Sequence, residues 1–69
     1  MISLADQIAE ARRELALRKR QYPGWIKRGT LTEGQAASYL QAMEAIVQTL
    51  RQLDMDQRQL HLFREVPGP

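Results

Sequence analysis

The stretch between two long apolar patterns reads Tyr22-Pro23-Gly24-Trp25-Ile26-Lys27-Arg28-Gly29-Thr30-Leu31-Thr32-Glu33-Gly34-Gln35. Pro23 lacks an amide hydrogen and disfavours a helical conformation at the preceding residue, so a first helix is expected to end or bend there. Gly29 suits the left-handed position after a helix end, which leaves room for one further helical turn before it. Thr32 and Gln35 have the spacing of a capping box that starts a second helix. We therefore expect a compact turn over residues 22–32.

The first helix has a serine cap and a single apolar seam. The hydroxyl of Ser3 can accept a hydrogen bond from an amide of the first turn. The seam follows helical spacings of three and four residues, and it consists of Leu4, Ile8, Ala11, Leu15 and Tyr22. Acidic residues fall in the first half and basic residues at the end, as the helix dipole favours. These features predict a helix over about residues 4–21.

The second helix is predicted to be longer. Its helical apolar pattern is Ala36, Tyr39, Leu40, Met43, Ile46, Val47, Leu50 and Leu53, and it resumes at Leu60 and Phe63. No proline or glycine interrupts the chain between Gly34 and Pro67. We expect a helix over about residues 33–62 within a single domain of residues 1–64, followed by a flexible tail of residues 65–69. The predicted fold class is all-α, an antiparallel hairpin of two helices with unequal arms.

The unequal helix lengths favour a homodimer. At 1.5 Å per residue the first helix is about 27 Å long and the second about 45 Å, so the end of the second helix has no partner within the chain. Burying its apolar residues against a second copy would give a four-helix arrangement; the alternative is that the chain frays after residue 53. The residues predicted for the dimer interface are Ile46, Leu50, Leu53, Leu60 and Phe63.

Composition argues against catalysis and metal binding. The 69 residues include no cysteine and one histidine, so disulfides, thiolate metal sites and most other metal sites are excluded. His61 is expected to be an exposed residue near a helix end, and Asp54 and Asp56 point in different directions on a helix. We expect no enzymatic activity, no catalytic residue, no metal and no cofactor. No apolar run approaches the ~20 residues that span a bilayer, so no membrane association and a cytoplasmic location are expected.

The charge is concentrated in one part of the chain. Residues 12–28 hold seven basic residues and one acidic residue, a local charge of +6, whereas the whole chain carries +2. A surface of this kind can dock to phosphates or to a carboxylate-rich protein patch; the alternative is a solvated helix face. The first turns of the second helix carry an acid and no lysine or arginine, which makes it a poor recognition helix for DNA.

Three of the four aromatic residues are expected near these basic residues. Tyr22 and Trp25 flank the proline and are expected to pack the turn onto the second helix. Tyr39 is expected at the edge of the apolar stripe, level with the basic run, and Tyr, Trp and Arg dominate interface hot spots. The residues predicted to bind a partner are Tyr39, Trp25, Arg18, Lys19, Arg20, Lys27 and Arg28.

Four segments form a pattern that occurs in a known group of proteins: Arg18-Lys19-Arg20-Gln21-Tyr22-Pro23-Gly24-Trp25-Ile26, Gly29, Leu31-Thr32 and Ala42-Met43-Glu44-Ala45-Ile46. The pattern resembles that of small helical-hairpin proteins of bacteriophages and prophages, and it covers about residues 10–50. Within that group, the length and the helix-rich, cysteine-free composition are similar to those of phage-encoded anti-activators of host quorum sensing. The resemblance implies a dimeric hairpin in the host cytoplasm that binds a LuxR-type transcriptional activator, blocks its DNA binding and inhibits the type IV pilus assembly ATPase.

Three functions follow as hypotheses. The leading one is a stoichiometric inhibitor that binds a host regulatory protein through the basic, aromatic end of the hairpin. The second is a nucleic-acid-associated accessory protein that uses the same basic end on phosphates, although direct nucleic-acid binding ranks below protein binding. The third is a structural subunit that assembles with other chains.

Overall fold

The computed structural model describes the backbone of residues 1–65 and the side chains of residues 1–60. It contains two α-helices, α1 over Leu4–Lys27 and α2 over Glu33–Glu65, and no strand within the described range. The helices pack against each other along a hairpin. The predicted all-α hairpin is therefore confirmed, and so are its unequal arms, because α2 has 33 residues and α1 has 24.

The end of α1 differs from the prediction. The helix continues through Pro23 to Lys27, so the predicted end at residue 21 is six residues short. Pro23 removes one backbone hydrogen bond and costs the helix about 3 kcal/mol. The turn that follows compensates, because its Trp25 packs on the buried ring of Tyr22, and Tyr22 in turn contacts Tyr39 of α2. The proline thus lies inside the last turns of α1 and does not end it.

A glycine ends α1 instead. Gly29 has a φ of 79°, and its amide donates to the carbonyl oxygen of Ile26 at 3.0 Å. The amide of Thr30 donates to the carbonyl oxygen of Trp25, also at 3.0 Å. This pair of bonds is a Schellman motif, which satisfies carbonyls that the helix end leaves free. The predicted left-handed stop at Gly29 is confirmed.

Both helices start at the predicted caps. The Ser3 hydroxyl accepts a hydrogen bond from the amide of Asp6 at 3.0 Å. At the start of α2 the Thr32 hydroxyl accepts from the amide of Gln35 at 3.0 Å, and the amide of Thr32 donates to the Gln35 side chain at 3.1 Å. This reciprocal pair is the predicted capping box. Together with the Schellman motif it leaves only residues 28–32 between the helices.

The core is thin. Ala11 of α1 packs with Met43 and Val47 of α2, and Leu15 and Leu50 pack against these three residues. Among the described residues no side chain is less than 2% exposed. One pair of helices therefore buries a narrow strip, with one layer of side chains on each side.

The far end of α2 extends past the prediction. The helix runs to Glu65, three residues beyond the predicted end at 62. The predicted flexible tail of residues 65–69 begins inside this helix, and its residues 66–69 lie outside the described residues. The side chain of Phe63 is also outside them. The homodimer stays a prediction.

Candidate functional site

Three aromatic rings meet where α1 reaches the turn. Tyr22 and Trp25 lie three residues apart in α1, with ring centroids at 5.6 Å. Tyr39 of α2 approaches Tyr22 edge to face, with centroids at 6.5 Å. Tyr22 is buried, whereas Trp25 is 37% exposed and Tyr39 is 47% exposed. The cluster thus has a buried base and two rings that reach solvent.

The sequence positions these rings through the turn. Trp25 lies in the last turn of α1, where its carbonyl is held by the Schellman motif. Tyr39 lies six residues after Glu33, the first residue of α2, which the capping box fixes. Because both helix ends are capped, the two exposed rings are held on short, ordered backbone segments. Rigid aromatic side chains lose little conformational entropy when a partner covers them.

A charged pair borders the aromatic rings. The Nε of Arg18 donates to a carboxylate oxygen of Glu14 at 2.9 Å, and the side chain of Arg18 is 35% exposed. The pKa of Arg18 is raised above its usual value, chiefly by this hydrogen bond, with a smaller contribution from Tyr22. The guanidinium is therefore fixed in place and charged. We call the surface depression formed here the aromatic groove; it is lined by Glu14, Arg18, Gln21, Tyr22, Trp25 and Tyr39.

The predicted basic residues do not form one patch. Arg18 lies in the aromatic groove, whereas the ammonium group of Lys19 lies 3.5 Å from a carboxylate oxygen of Glu44, in an ion pair between the helices. Arg20 and Lys27 are both exposed. At ~100° of rotation per residue, Arg20, two residues before Tyr22, lies about 160° around the helix from Tyr22, and Lys27, five residues after it, lies about 140° around. Both are therefore on the side of α1 away from Tyr22. Arg28 is exposed at the helix end. The structure brings together Trp25, Tyr39 and Arg18 and places the other four outside the aromatic groove.

The residues predicted for the dimer interface fall into two groups. Ile46, Leu53 and Leu60 are 50%, 46% and 59% exposed. They are seven residues apart, so they lie along one side of α2. Leu50 packs against the core of its own chain, and Phe63 lies outside the described side chains. We call Ile46, Leu53 and Leu60 the apolar row.

Sequence reasoning missed two features. Glu14 and Gln21 line the aromatic groove, and the four-residue spacing from Glu14 to Arg18 was a readable signal for an ion pair. A second surface groove lies nearer the chain start and is lined partly by Ile2, Met43 and Leu50. Its formation depends on how the two helices pack, so no pattern within one helix predicts it.

The described range contains neither a metal-binding cluster nor a membrane-spanning helix. Residues there include no group of three histidine, cysteine, aspartate or glutamate side chains placed to hold a metal ion. No helix in that range has the length and hydropathy needed to cross a membrane. No family model, no curated protein and no solved structure matches this chain.

Proposed function

We propose that this chain is a small non-catalytic binding protein that works as a homodimer and inhibits a host regulatory protein by covering part of its surface. The observation that carries the proposal is the exposure of Trp25 and Tyr39 beside the fixed guanidinium of Arg18. Tryptophan, tyrosine and arginine are the residue types most enriched in interface hot spots. A surface that places all three together at one end of a rod suits insertion into a pocket of a partner.

The charge around this groove limits the choice of partner. In the groove itself Arg18 is paired with Glu14, so charge acts through the wider segment of residues 12–28, whose net charge of +6 attracts an acidic protein surface and repels a basic one. The resemblance to phage anti-activators narrows the proposal to a LuxR-type transcriptional activator, whose DNA binding would be blocked from an acidic surface and not by covering its basic DNA-contacting surface, with the type IV pilus assembly ATPase as a second target. Both would be bound in the host cytoplasm.

The thin core supports the homodimer. A chain of this size buries little apolar surface and needs further stabilisation, for which oligomerisation is one common route. The apolar row supplies a surface for it, since Ile46, Leu53 and Leu60 each leave about half of their area in water. A twofold axis beside Leu53 would bring Leu53 against its own copy and Ile46 against Leu60 of the other chain.

Charge favours an antiparallel arrangement of the two α2 helices. Residues 12–45 hold seven basic and three acidic residues, whereas the rest of the chain holds three basic and five acidic residues. A parallel pair would place the two basic halves side by side, and an antiparallel pair places each basic half beside an acidic one. With Leu53 at the axis, the paired row ends at Ile46, and Tyr39 lies seven residues before it, outside the three pairs.

A DNA-release assay tests the proposed inhibition. A purified LuxR-type activator is bound to its labelled promoter duplex, and the hairpin is added at increasing ratios. We expect release near one hairpin dimer per activator dimer. Tyr39→Ala and Trp25→Ala should each require at least about 30-fold more protein, the effect of losing a 2 kcal/mol hot spot. An activator that stays on DNA at large excess of the wild type would contradict this partner.

The matched control is Met55→Ala. Met55 is 55% exposed and lies in a different surface groove, with Leu15 and Val47. Its truncation should leave DNA release unchanged. Circular dichroism and sedimentation of every variant show whether it is folded and dimeric. Equal loss of inhibition in Met55→Ala and Tyr39→Ala would show that the aromatic groove is not the binding surface.

A further inference from the structure

The outer side of α1 carries a straight row of cations that lies outside the aromatic groove. Arg13, Arg20 and Lys27 are seven residues apart, which places them on one side of the helix at intervals of about 10 Å. All three are exposed and lie on the side of α1 opposite the buried Tyr22. We call these three residues the basic ridge.

Carboxylates of the described residues neutralise little of the charge of the basic ridge. In the described part of the chain, Arg20 and Lys27 have no carboxylate within 4.0 Å, and Arg13 pairs with Glu10. The side chains of that pair are 75% and 65% exposed, so the pair is weak and open to exchange with another anion. The two other acidic contacts of this region are made by Arg18 and Lys19, which are not on the ridge.

A glycine opens the backbone between two of these cations. Gly24 lies four residues after Arg20 and three before Lys27, inside the exposed part of α1. A Cβ built at Gly24 meets nothing within 4 Å, so packing does not require glycine there. Glycine inside a helix is destabilising relative to alanine, and one use of it is to let a ligand approach the backbone closely. The backbone of the basic ridge is therefore open to a ligand between Arg20 and Lys27.

We propose that the basic ridge binds the phosphate backbone of a nucleic-acid duplex, without reading its sequence. A protein partner would need carboxylates in matching positions and aromatic anchors at the centre of the contact, and the exposed aromatic rings lie in the aromatic groove on another side of α1. A duplex presents one phosphate charge per ~1.7 Å of its axis, so a row of cations at wide, even intervals meets phosphates in almost any register. This inference is independent of the proposed inhibition.

The test measures the salt dependence of duplex binding by the full chain. Fluorescence anisotropy follows a labelled DNA duplex of mixed sequence between about 50 and 200 mM salt. Three phosphate contacts predict a slope of log K against log salt near −3, since each contributes about −0.9. Arg20→Gln with Lys27→Gln should bring the slope to about −1. No binding by the wild type at 50 mM salt would overturn the proposal.

Two controls distinguish binding by the basic ridge from attraction by the net charge of the chain. Arg51→Gln with Arg58→Gln removes the same charge from α2 and should leave a slope near −3; an equal fall in slope would show that binding follows net charge and would overturn the ridge. Gly24→Leu keeps the charge and should weaken binding, whereas Gly34→Leu, at a helical glycine of α2 that also has open space around it, should not. Stronger retention on poly-glutamate than on DNA would assign the ridge to an acidic protein.

Discussion

Tyr22 and Tyr39 join the two helices edge to face, yet the first ring is buried and the second is half exposed. The same aromatic contact therefore combines a residue of the core with a residue of the surface. Tyr22 is 6% exposed and Tyr39 is 47% exposed, so the two side chains differ in what their removal should cost. At the turn end of the hairpin, Tyr22 therefore serves the stability of the fold, and Tyr39 is left to bind a partner.

Truncation of Tyr22 should destabilise the fold far more than truncation of Tyr39. Large buried aromatics cost about 3–5 kcal/mol when replaced by alanine, so we expect a loss of that order for Tyr22→Ala and about 1 kcal/mol for Tyr39→Ala. Urea unfolding followed by circular dichroism measures both. Similar losses for the two variants would contradict the assignment of Tyr39 to the surface.

Two glycines should respond in opposite directions to the same substitution. Gly29→Ala places a Cβ on a residue with a φ of 79° and should cost about 1–2 kcal/mol. Gly24→Ala adds a methyl group to open space in a helix and should stabilise by about 0.5–1 kcal/mol. Thermal unfolding of the two variants against the wild type checks the signs. A stabilising Gly29→Ala would contradict the Schellman end of α1.

The helix starts could be predicted because their signals are local. Spacings of three residues alone identify the cap at Ser3 and the capping box of Thr32 and Gln35. The structure has the corresponding hydrogen bonds. The end of α1 was predicted wrongly because Pro23 has a local cost but the compensating contacts are tertiary. Tyr22 reaches across to Tyr39 of the other helix, and no propensity within α1 contains that contact.

Replacement of Pro23 should stabilise the hairpin. The proline lies inside α1 and lacks the amide that would donate to the carbonyl of Lys19. Pro23→Ala restores that donor, and we expect a gain of about 1–3 kcal/mol, reduced by the greater flexibility of the unfolded chain. Thermal unfolding measures the gain. A destabilised Pro23→Ala would mean that the proline itself is needed to place Trp25.

The candidate site could be predicted in its aromatic part and not in its basic part. Tyr39 and Trp25 were identified by residue type and by their level along the hairpin, and the structure places both in one groove with Arg18. Lys19 lies on the side of α1 that pairs with Glu44 of α2, whereas Arg20 and Lys27 lie on the outer side, away from the aromatic groove. A run of charges gives a net charge, whereas the helix rotates successive residues by about 100° and divides them among faces.

The apolar row should control self-association. Each copy would bury Ile46 and Leu53, and a fully buried side chain of this size contributes about 1.5–3 kcal/mol. We expect Ile46→Asp with Leu53→Asp to be monomeric under conditions where the wild type is a dimer, as measured by sedimentation equilibrium. Met55→Asp is the matched control, because Met55 is equally exposed but lies outside the row. A monomeric wild type at high micromolar concentration would contradict the homodimer.

Disulfide trapping should give the direction of the helix pair, since the chain contains no cysteine. With Leu53 beside a twofold axis in an antiparallel pair, Leu53→Cys should form a covalent dimer under mild oxidation, because disulfides require Cα atoms about 4.4–6.8 Å apart. Ile46→Cys alone should not cross-link, but a mixture of Ile46→Cys and Leu60→Cys chains should. Non-reducing gel electrophoresis separates the products. Rapid cross-linking of Ile46→Cys to itself would indicate parallel helices, and the charge argument for the antiparallel dimer would then be wrong.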